Sequence, residues 1–236
     1  MKTVLINGSP KKKWSVSSYL SAVLRLAIGG TTVREQVRSK ADHARVLEEL
    51  RDADAVVFVT PLYVDAVPSH LLVFMQEMEQ FCRENGIVLR VYALANNGFI
   101  EGRQNMVLMQ VLECFCQRCG HIWGGGLGIG GGIFLNALRF VVPSYFLLFA
   151  LNLISSSLGE ALPLLLWQLA IALVLHSGVL VCGIPLVQAI RRGSKCKTRY
   201  TRVMVPAVLF IVIANMFFSI SALLRGGMFR GWLAKK

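Results

Sequence analysis

Residues 161–190 contain no acidic, lysine or arginine side chain over 30 consecutive positions, and this feature restricts the folding of the chain more than any other. A helix needs about 20 predominantly apolar residues to cross the hydrocarbon core of a bilayer. Residues 203–224 form a second uncharged segment, of 22 positions. Both segments are therefore predicted to be transmembrane helices.

A third apolar segment, at about residues 134–158, is ambiguous. It contains Arg139, Pro143 and Asn152, and it ends in a run of serines. Two interpretations remain open: a third transmembrane helix, or a last helix of the preceding domain that lies on the membrane surface. The chain therefore has two or three predicted spans.

Charge is distributed unevenly along the chain. Residues 1–132 contain 14 basic and 12 acidic side chains, whereas residues 133–236 contain 11 basic and one acidic. Lys and Arg concentrate on the cytoplasmic side of membrane helices, so this excess indicates topology rather than a nucleic-acid partner. The loop 191–202 has six basic residues, and three spans place it inside if the N-terminal part is cytoplasmic. We predict a multi-pass protein of the cell membrane with that orientation.

The first 132 residues alternate strand-like and helix-like segments. Short apolar or β-branched runs begin near residues 3, 32, 55 and 88, and a last one near residue 121 runs into the glycines of GGGLGIGGG. Helical patterns separate the five runs, which predicts an α/β domain with a five-stranded parallel sheet covered on both faces. We expect this domain to span residues 1–132 and the membrane region to span residues 133–236. The glycines suggest a flexible exit or a backbone wall beside a ligand.

Three polar loops each follow the carboxyl end of a predicted strand: NGSPKKKWSVSS, PLYVDAVPSH and ANNGFIEG. Ligands of open parallel sheets bind beyond these strand ends, so we expect the three loops to form one site. Hydroxyls and free amides at the start of a helix suit a phosphate monoester. The first loop has neither the Walker motif nor the dinucleotide glycine motif. A simple helix cap by Ser17, with lysines solvating a turn, is the alternative.

In order and composition, the three loops resemble the flavin loops of the flavodoxin-like NAD(P)H-dependent FMN reductases. The resemblance covers about residues 1–132 and implies a flavodoxin-like fold, FMN and NAD(P)H as cofactors, and hydride transfer without a catalytic acid or base. It implies that the FMN phosphate is surrounded by Ser9, Lys11, Ser15 and Ser17. It implies that the isoalloxazine is walled by Pro61, Leu62, Tyr63 and Val64. It implies that the ring is edged by Asn96, Asn97 and Gly98.

Some residues depart from that family pattern or invite another reading. Trp14 and Val16 stand in the first loop where the family usually has small polar residues. Asp65 stands where a neutral residue is expected, and the preferred interpretation is a turn residue exposed to water. A cysteine cluster followed by a histidine suggests a metal site, but its spacing fits no cluster motif, and buried helix cysteines are the preferred interpretation. The residues of that cluster are Cys114, Cys116, Cys119 and His121. We predict no metal site.

The sequence therefore predicts a membrane-attached FMN-dependent NAD(P)H oxidoreductase. Electrons would pass from nicotinamide through flavin to an unidentified acceptor, for which a membrane-soluble quinone is the candidate. Membrane lipid is a predicted partner and a homodimer a candidate assembly. The alternatives are a non-enzymatic flavin-binding redox sensor or electron carrier, and a domain that has lost its flavin.

Overall fold

The computed structural model describes residues 1–11, 15–155 and 158–224. In this part of the chain a single sheet of parallel strands has the order β2-β1-β3-β4-β5-β6. The strands are β1 Lys2–Asn7, β2 Thr31–Gln36, β3 Ala55–Pro61, β4 Arg90–Asn96, β5 Ile122–Ile129 and β6 Arg199–Tyr200. The order of the first five strands is that of the flavodoxin-like fold. The predicted fold class is therefore confirmed.

The predicted number of strands was one too few. The sixth strand, β6, has two residues and pairs with β5 through Leu127 and Gly128. It lies in the basic loop 191–202, which the sequence indicates only as a connection between membrane helices. A two-residue strand has no periodicity of its own, so only its partner on the sheet reveals it.

Seven helices connect or follow the strands in the described residues, and the first four lie between strands, where the sequence predicts helical patterns. They are α1 Val16–Ile28, α2 His43–Leu50, α3 Ser69–Glu84, α4 Met106–Cys119, α5 Gly132–Ser155, α6 Leu158–Arg192 and α7 Ala207–Leu224. Short 3₁₀ turns at Lys40–Asp42 and Gly102–Asn105 precede α2 and α4. Parallel strands need such crossover helices because the chain must return to the starting end of the sheet before the next strand begins.

Both faces of the sheet are buried, as an all-parallel sheet requires. One face packs against α2, α3 and α4, with Phe58 and Phe74 among its fully buried side chains. The other face packs against α1, the first turn of α5 and the end of α6, where Leu135, Leu186 and Ile190 are buried. The end of a long apolar helix therefore completes the core of the α/β fold.

The last part of α6 crosses the sheet from one edge to the other. We call the edge where β1, β3, β4 and β5 end the carboxyl edge, and the opposite one the amino edge. A Cβ atom on Gly178 would lie 3.3 Å from the carbonyl oxygen of Arg202, which pairs with Glu101 in the loop after β4. At the other end, the guanidinium Nε of Arg191 donates a 3.0 Å hydrogen bond to the carbonyl of Ile28, where α1 ends. Residues 178–192 therefore run antiparallel to the strands.

The glycines of β5 make room for the segment that follows α6. A Cβ atom on Gly125 would overlap the carbonyl oxygen of Cys196, and one on Gly128 would lie 2.6 Å from the ring of Tyr200. The amide of Cys196 donates to the carbonyl of Gly124 at 2.8 Å. The first part of the glycine run is thus an ordered strand against which residues 194–203 pack, rather than a flexible exit.

Within the described residues, two helices are long and apolar enough to cross a membrane, Leu158–Arg192 and Ala207–Leu224. In α5 the apolar stretch is shorter, Phe140–Ile154. The chain forms two compact units, Met1–Val203 and Met204–Lys236, and α7 belongs to the second. The expected domain boundary at residue 132 stays a prediction.

Candidate functional site

The loop after β1 is held by main-chain and side-chain bonds of its own. The amide of Ser9 donates to the side-chain oxygen of Asn7 at 3.1 Å, and the amide of Lys11 donates to the hydroxyl of Ser9 at 3.4 Å. Ser9 is 2% exposed, whereas Lys11 is exposed. The loop therefore turns back on itself beside the carboxyl edge, with a lysine at its surface. Lys12, Lys13 and Trp14 lie outside the described residues.

Helix α1 begins immediately after this loop with a side-chain cap. The hydroxyl of Ser15 accepts a 3.0 Å hydrogen bond from the amide of Ser18, which is the usual role of an N-cap serine. Val16 is the first helical residue and packs partly into the core. The cap is thus formed by Ser15 rather than by Ser17, because the helix already begins at Val16.

Ser17 instead joins two of the predicted loops. Its hydroxyl accepts a 2.9 Å hydrogen bond from the side-chain amide of Asn96, which also donates to the carbonyl of Thr60 at 3.2 Å. Asn96 and Ser17 are both buried, with exposures of 5% and 1%. One side chain at the end of β4 therefore contacts the first turn of α1 and the end of β3. The structure brings the three loops together, as the sequence predicts.

The loop after β3 folds into a tight hairpin turn. Tyr63 and Ala66 exchange two main-chain hydrogen bonds of 3.0 Å. Between them, Val64 and Asp65 adopt φ angles of 47° and 59°. A β-branched residue in this left-handed region is strained, and such residues often mark functional sites. The Val64 side chain is 98% exposed, and Asp65 is an exposed turn residue.

Pro61 and Leu62 connect this hairpin to the sheet. Pro61 is the last residue of β3, opposite Asn96 on β4. The amide of Leu62 donates to the carbonyl of Asn96 at 2.8 Å. The hairpin therefore begins beside the loop after β4, and Tyr63, 42% exposed, presents a ring at the same edge.

The loop after β4 is held from two sides. The side-chain amide of Asn97 donates to the carbonyl of Glu101 at 3.1 Å, and its oxygen accepts from the amide of Phe99 at 3.0 Å. From the other side, the segment after α6 binds the loop, because the amide of Gly102 donates to the carbonyl of Thr201 at 2.7 Å. At Gly98 a Cβ atom would meet nothing within 4 Å, so the main chain there faces open space.

Two further residues support the first loop, and sequence reasoning did not select them. The side-chain amide of Gln36, at the end of β2, donates to the carbonyls of Ser9 at 3.3 Å and Lys11 at 3.1 Å. The Nε2 of His70, in the first turn of α3, donates to the carbonyl of Gly8 at 3.2 Å. Both partners are main-chain carbonyls, which leave no trace in residue identity. The polarity of β2 and the histidine in PLYVDAVPSH were the available signals.

Burial lowers the pKa of His70 below its ordinary value, and the nearby His43 lowers it further, against the raising effect of hydrogen bonds to Gly8 and Val37. The neutral form therefore predominates at neutral pH. In this form, His70 supports the loop through its Nε2 proton and adds no positive charge to the site.

The cysteines on α4 lie in different surroundings. Cys116 is buried, Cys119 is half-buried and Cys114 is exposed. Burial raises the pKa of Cys116 to about 12, so its thiol stays protonated. The Nδ1 of His121 accepts a 3.4 Å hydrogen bond from the amide of Leu89. Among the described residues no three His, Cys, Asp or Glu side chains converge on a point that could hold a metal.

No family model and no curated protein matches the sequence. Among solved structures, the chain resembles the Trp repressor binding protein from Bacillus subtilis, with 18% identity, a TM-score of 0.46, and coverage of 55% of this chain and 85% of that one. A flavoenzyme NAD(P)H:(acceptor) oxidoreductase from Paracoccus denitrificans shows 17% identity and a TM-score of 0.42, over 52% and 75% of the two chains.

An NADPH-quinone reductase from P. pentosaceus shows 14% identity and a TM-score of 0.48, over 73% of this chain and 98% of that one. At such identities a structural likeness concerns the fold alone. The strand order of the sheet independently gives the same result: this chain has a flavodoxin-like α/β fold with apolar helices after it.

Proposed function

We propose that the chain binds FMN at the carboxyl edge of its sheet and transfers electrons from NAD(P)H to an acceptor in the membrane. The observation that supports this most is the convergence of the three loops through Asn96, which contacts Ser17 and Thr60 and lies beside Leu62. A flavin needs such a site because its phosphate and its ring must be held by different loops of one edge.

The first loop and the start of α1 suit a phosphate. The hydroxyl oxygens of Ser9, Ser15 and Ser17 each accept a hydrogen bond from an N–H group. Among the described residues, none of these three hydroxyl groups donates a hydrogen bond, so each can donate one to an anion. The N-terminus of α1 adds amides and a favourable dipole, and Lys11 adds positive charge nearby.

The loops after β3 and β4 suit the isoalloxazine. Tyr63 offers an aromatic face for stacking, and Pro61, Leu62 and Val64 complete an apolar wall on the same hairpin. On the other side, the open space at Gly98 lets the main chain approach a planar ring closely, with Asn96 and Asn97 holding the loop. When bound, FMN supplies hydride acceptance and onward electron transfer. The side chains orient the ring and limit its contact with water.

The course of α5 and α6 supports three membrane spans. Helix α5 starts at the carboxyl edge directly after β5, and α6 returns to the same fold with Leu186 and Ile190 buried on the sheet. A chain that leaves and rejoins one domain crosses a bilayer an even number of times, so α5 and α6 together form a hairpin. Helix α7 is the third span. The basic loop 191–202 then lies on the side of the α/β fold, which the positive-inside rule assigns to the cytoplasm.

This attachment supports a lipid-soluble acceptor such as a quinone. A flavin domain tethered at the bilayer meets a membrane-dissolved acceptor at much higher local concentration than a soluble one. No arginine cluster at the described edge distinguishes the 2′-phosphate of NADPH, so either nicotinamide is expected to react.

The visible spectrum of the detergent-purified protein tests the proposal. Flavin bands that bleach when NADH or NADPH is added without oxygen, and return when a quinone is added, are the expected result. Bands that bleach with neither nicotinamide would contradict the reductase and indicate a flavin-binding carrier or sensor. A colourless protein that FMN cannot reconstitute would contradict flavin binding altogether.

A further inference from the structure

We propose that the carboxyl edge of the sheet lies against the bilayer surface, with Val64 at the tip of its hairpin and the side chain of Phe99 in contact with lipid. From the proposed function, this orientation requires only that the α5–α6 hairpin is inserted in the membrane. It does not require bound flavin. It identifies the lipid bilayer as the partner of this edge of the domain.

The direction of α6 is the first step of the argument. Gly178 lies at the carboxyl edge, beside Arg202, and Arg191 lies at the amino edge, beside Ile28. The part of α6 that precedes residue 178 therefore projects beyond the carboxyl edge. Helix α5 leaves from the same edge, because Gly132 follows directly on the end of β5 and its amide donates to the carbonyl of Asn97.

The length of the projecting part fits a bilayer. Residues 158–177 of α6 form about 30 Å of helix, which is the thickness of the hydrocarbon core. Their side chains are largely exposed, with Trp167 at 67% and Leu173 at 58%. Ala161 and Leu165 are buried exceptions, and α6 packs against α5. If this part spans the bilayer, the membrane surface lies at the level of Gly178, directly at the carboxyl edge.

Exposed apolar side chains occur at this level. Val64 is 98% exposed at the tip of its hairpin and Phe99 is 59% exposed in the loop after β4. The turn that holds Val64 outward is strained, since both Val64 and Asp65 have positive φ angles. Lipid contact accounts for apolar side chains at these positions, because aromatic and aliphatic side chains are favourable at the membrane interface.

The amino edge is different in character. It contains ion pairs between Lys2 and Asp52, between Lys2 and Glu49, and between Arg51 and Glu48. Charged groups of both signs are favourable in water and costly at a hydrocarbon boundary. The carboxyl edge also has an ion pair, between Arg202 and Glu101, but it carries the exposed apolar side chains of Val64 and Phe99 beside it. We therefore place this edge at the membrane and the edge of Lys2 and Arg51 toward the cytoplasm.

Sheet order sets the lateral distance of each loop from the membrane hairpin. The strand β5, from which α5 leaves, is three strand positions from β1, or about 14 Å. The loops after β3 and β4 lie between them. The loops expected to border the ring are therefore nearer the membrane hairpin, and the loop expected to bind phosphate is farther from it. A lipid-soluble acceptor can reach the ring without leaving the bilayer.

Spin labels on single introduced cysteines test the orientation in the full-length protein. The background is Cys114→Ser, which removes the exposed native thiol, and its residual labelling is subtracted. Labels are placed by Val64→Cys and Phe99→Cys at the carboxyl edge, by Val88→Cys at the amino edge, and by Leu173→Cys on α6. Val88 is a matched control because it is an exposed valine just before β4. Collision of each label with oxygen and with a water-soluble nickel chelate is measured in vesicles of phosphatidylcholine and phosphatidylglycerol.

We expect the labels at positions 64 and 99 to lose most of their collisions with the nickel chelate on reconstitution and to gain collisions with oxygen, while the label at 88 stays accessible to nickel. If the labels at positions 64 and 99 stay as accessible to the nickel chelate as the label at position 88, the edge faces water and the proposal is wrong. If the label at 173 also remains accessible to nickel, the hairpin is outside the bilayer and the proposal is equally wrong. Flavin absorbance and nicotinamide-dependent bleaching of the unlabelled protein test the reductase function separately.

Discussion

The side-chain amide of Asn96 donates a 2.9 Å hydrogen bond to the hydroxyl of Ser17, and so joins the end of β4 to the first turn of α1 across the interior of the site. Both groups are buried. Asn96→Ala removes two hydrogen bonds and leaves the carbonyl of Thr60 without this donor. We expect a loss of about 1–2 kcal/mol in the free energy of unfolding, together with weaker FMN binding.

A double-mutant cycle with Ser17→Ala isolates this hydrogen bond from the rest of the site. We expect a coupling energy of about 0.5–1.5 kcal/mol between the two positions, measured by denaturant unfolding in detergent. Strictly additive effects would mean that the bond does not stabilise the protein and that the loops are held together by other contacts.

Gly98 and Gly124 should respond oppositely to the same substitution. Gly98→Ala adds a Cβ atom to open space, so stability should stay unchanged while FMN affinity falls. Gly124→Ala places a Cβ atom 2.4 Å from the ring of Tyr92 and should destabilise the fold by about 1–3 kcal/mol. Thermal unfolding and FMN titration of both variants measure the contrast. A Gly98→Ala protein that binds FMN as tightly as the parent would place the ring elsewhere.

Gln36 is expected to act by positioning the first loop. Gln36→Ala removes the two hydrogen bonds to the carbonyls of Ser9 and Lys11. We expect the Kd for FMN to rise about tenfold, which corresponds to about 1.4 kcal/mol, with little change in stability. Gln80→Ala is the control, because the side-chain amide of Gln80, on α3, donates a hydrogen bond to the exposed Glu84. Equal FMN affinity in both variants would exclude Gln36 from loop positioning.

Stability should decrease as the pH falls below the ordinary pKa of histidine. Burial lowers the pKa of both His70 and His121 from 6.5 in the folded protein, so the unfolded chain binds more protons than the folded one. Their contribution is fully present above pH 6.5 and is lost as the pH falls through the lowered values. Protonation of His121 at Nδ1 also removes the acceptor for the amide of Leu89.

The variant His121→Asn tests the assignment, because asparagine keeps an acceptor near the Nδ1 position without titrating. We expect its unfolding midpoint to change less between pH 7 and pH 5 than that of the parent protein, as followed by circular dichroism; these pH values bracket roughly the ordinary histidine pKa. If the unfolding midpoint of the variant changes with pH as much as that of the parent protein, the acid sensitivity belongs to other groups.

The sequence predicts the α/β part of the fold well because its signals are local. Buried strands such as β3 are largely apolar runs, and helices such as α4 lie where a helical pattern separates two of these runs. The positions of the three loops follow from strand order alone. Fold class and the convergence of the three loops are therefore predictable from the sequence.

The unpredicted features depend on contacts between distant segments. Strand β6 exists because Gly128 leaves room for the ring of Tyr200, and neither residue reveals the other in sequence. Gln36 and His70 act on main-chain carbonyls, and α6 reads as one apolar helix although its surroundings change near Gly178. Apolar composition does not distinguish a face that packs on a sheet from one that faces lipid.

The position of residues 178–203 also affects the order in which the protein can mature. Ribosomes deliver the five main strands first, and at that stage the face formed by Tyr92, Leu94 and Leu127 has only α1 to cover it. Its cover arrives after both arms of the hairpin have been synthesised. Completion of the folded domain must therefore wait for the synthesis of α5 and α6, and a chain released after residue 132 would expose that apolar face to aggregation.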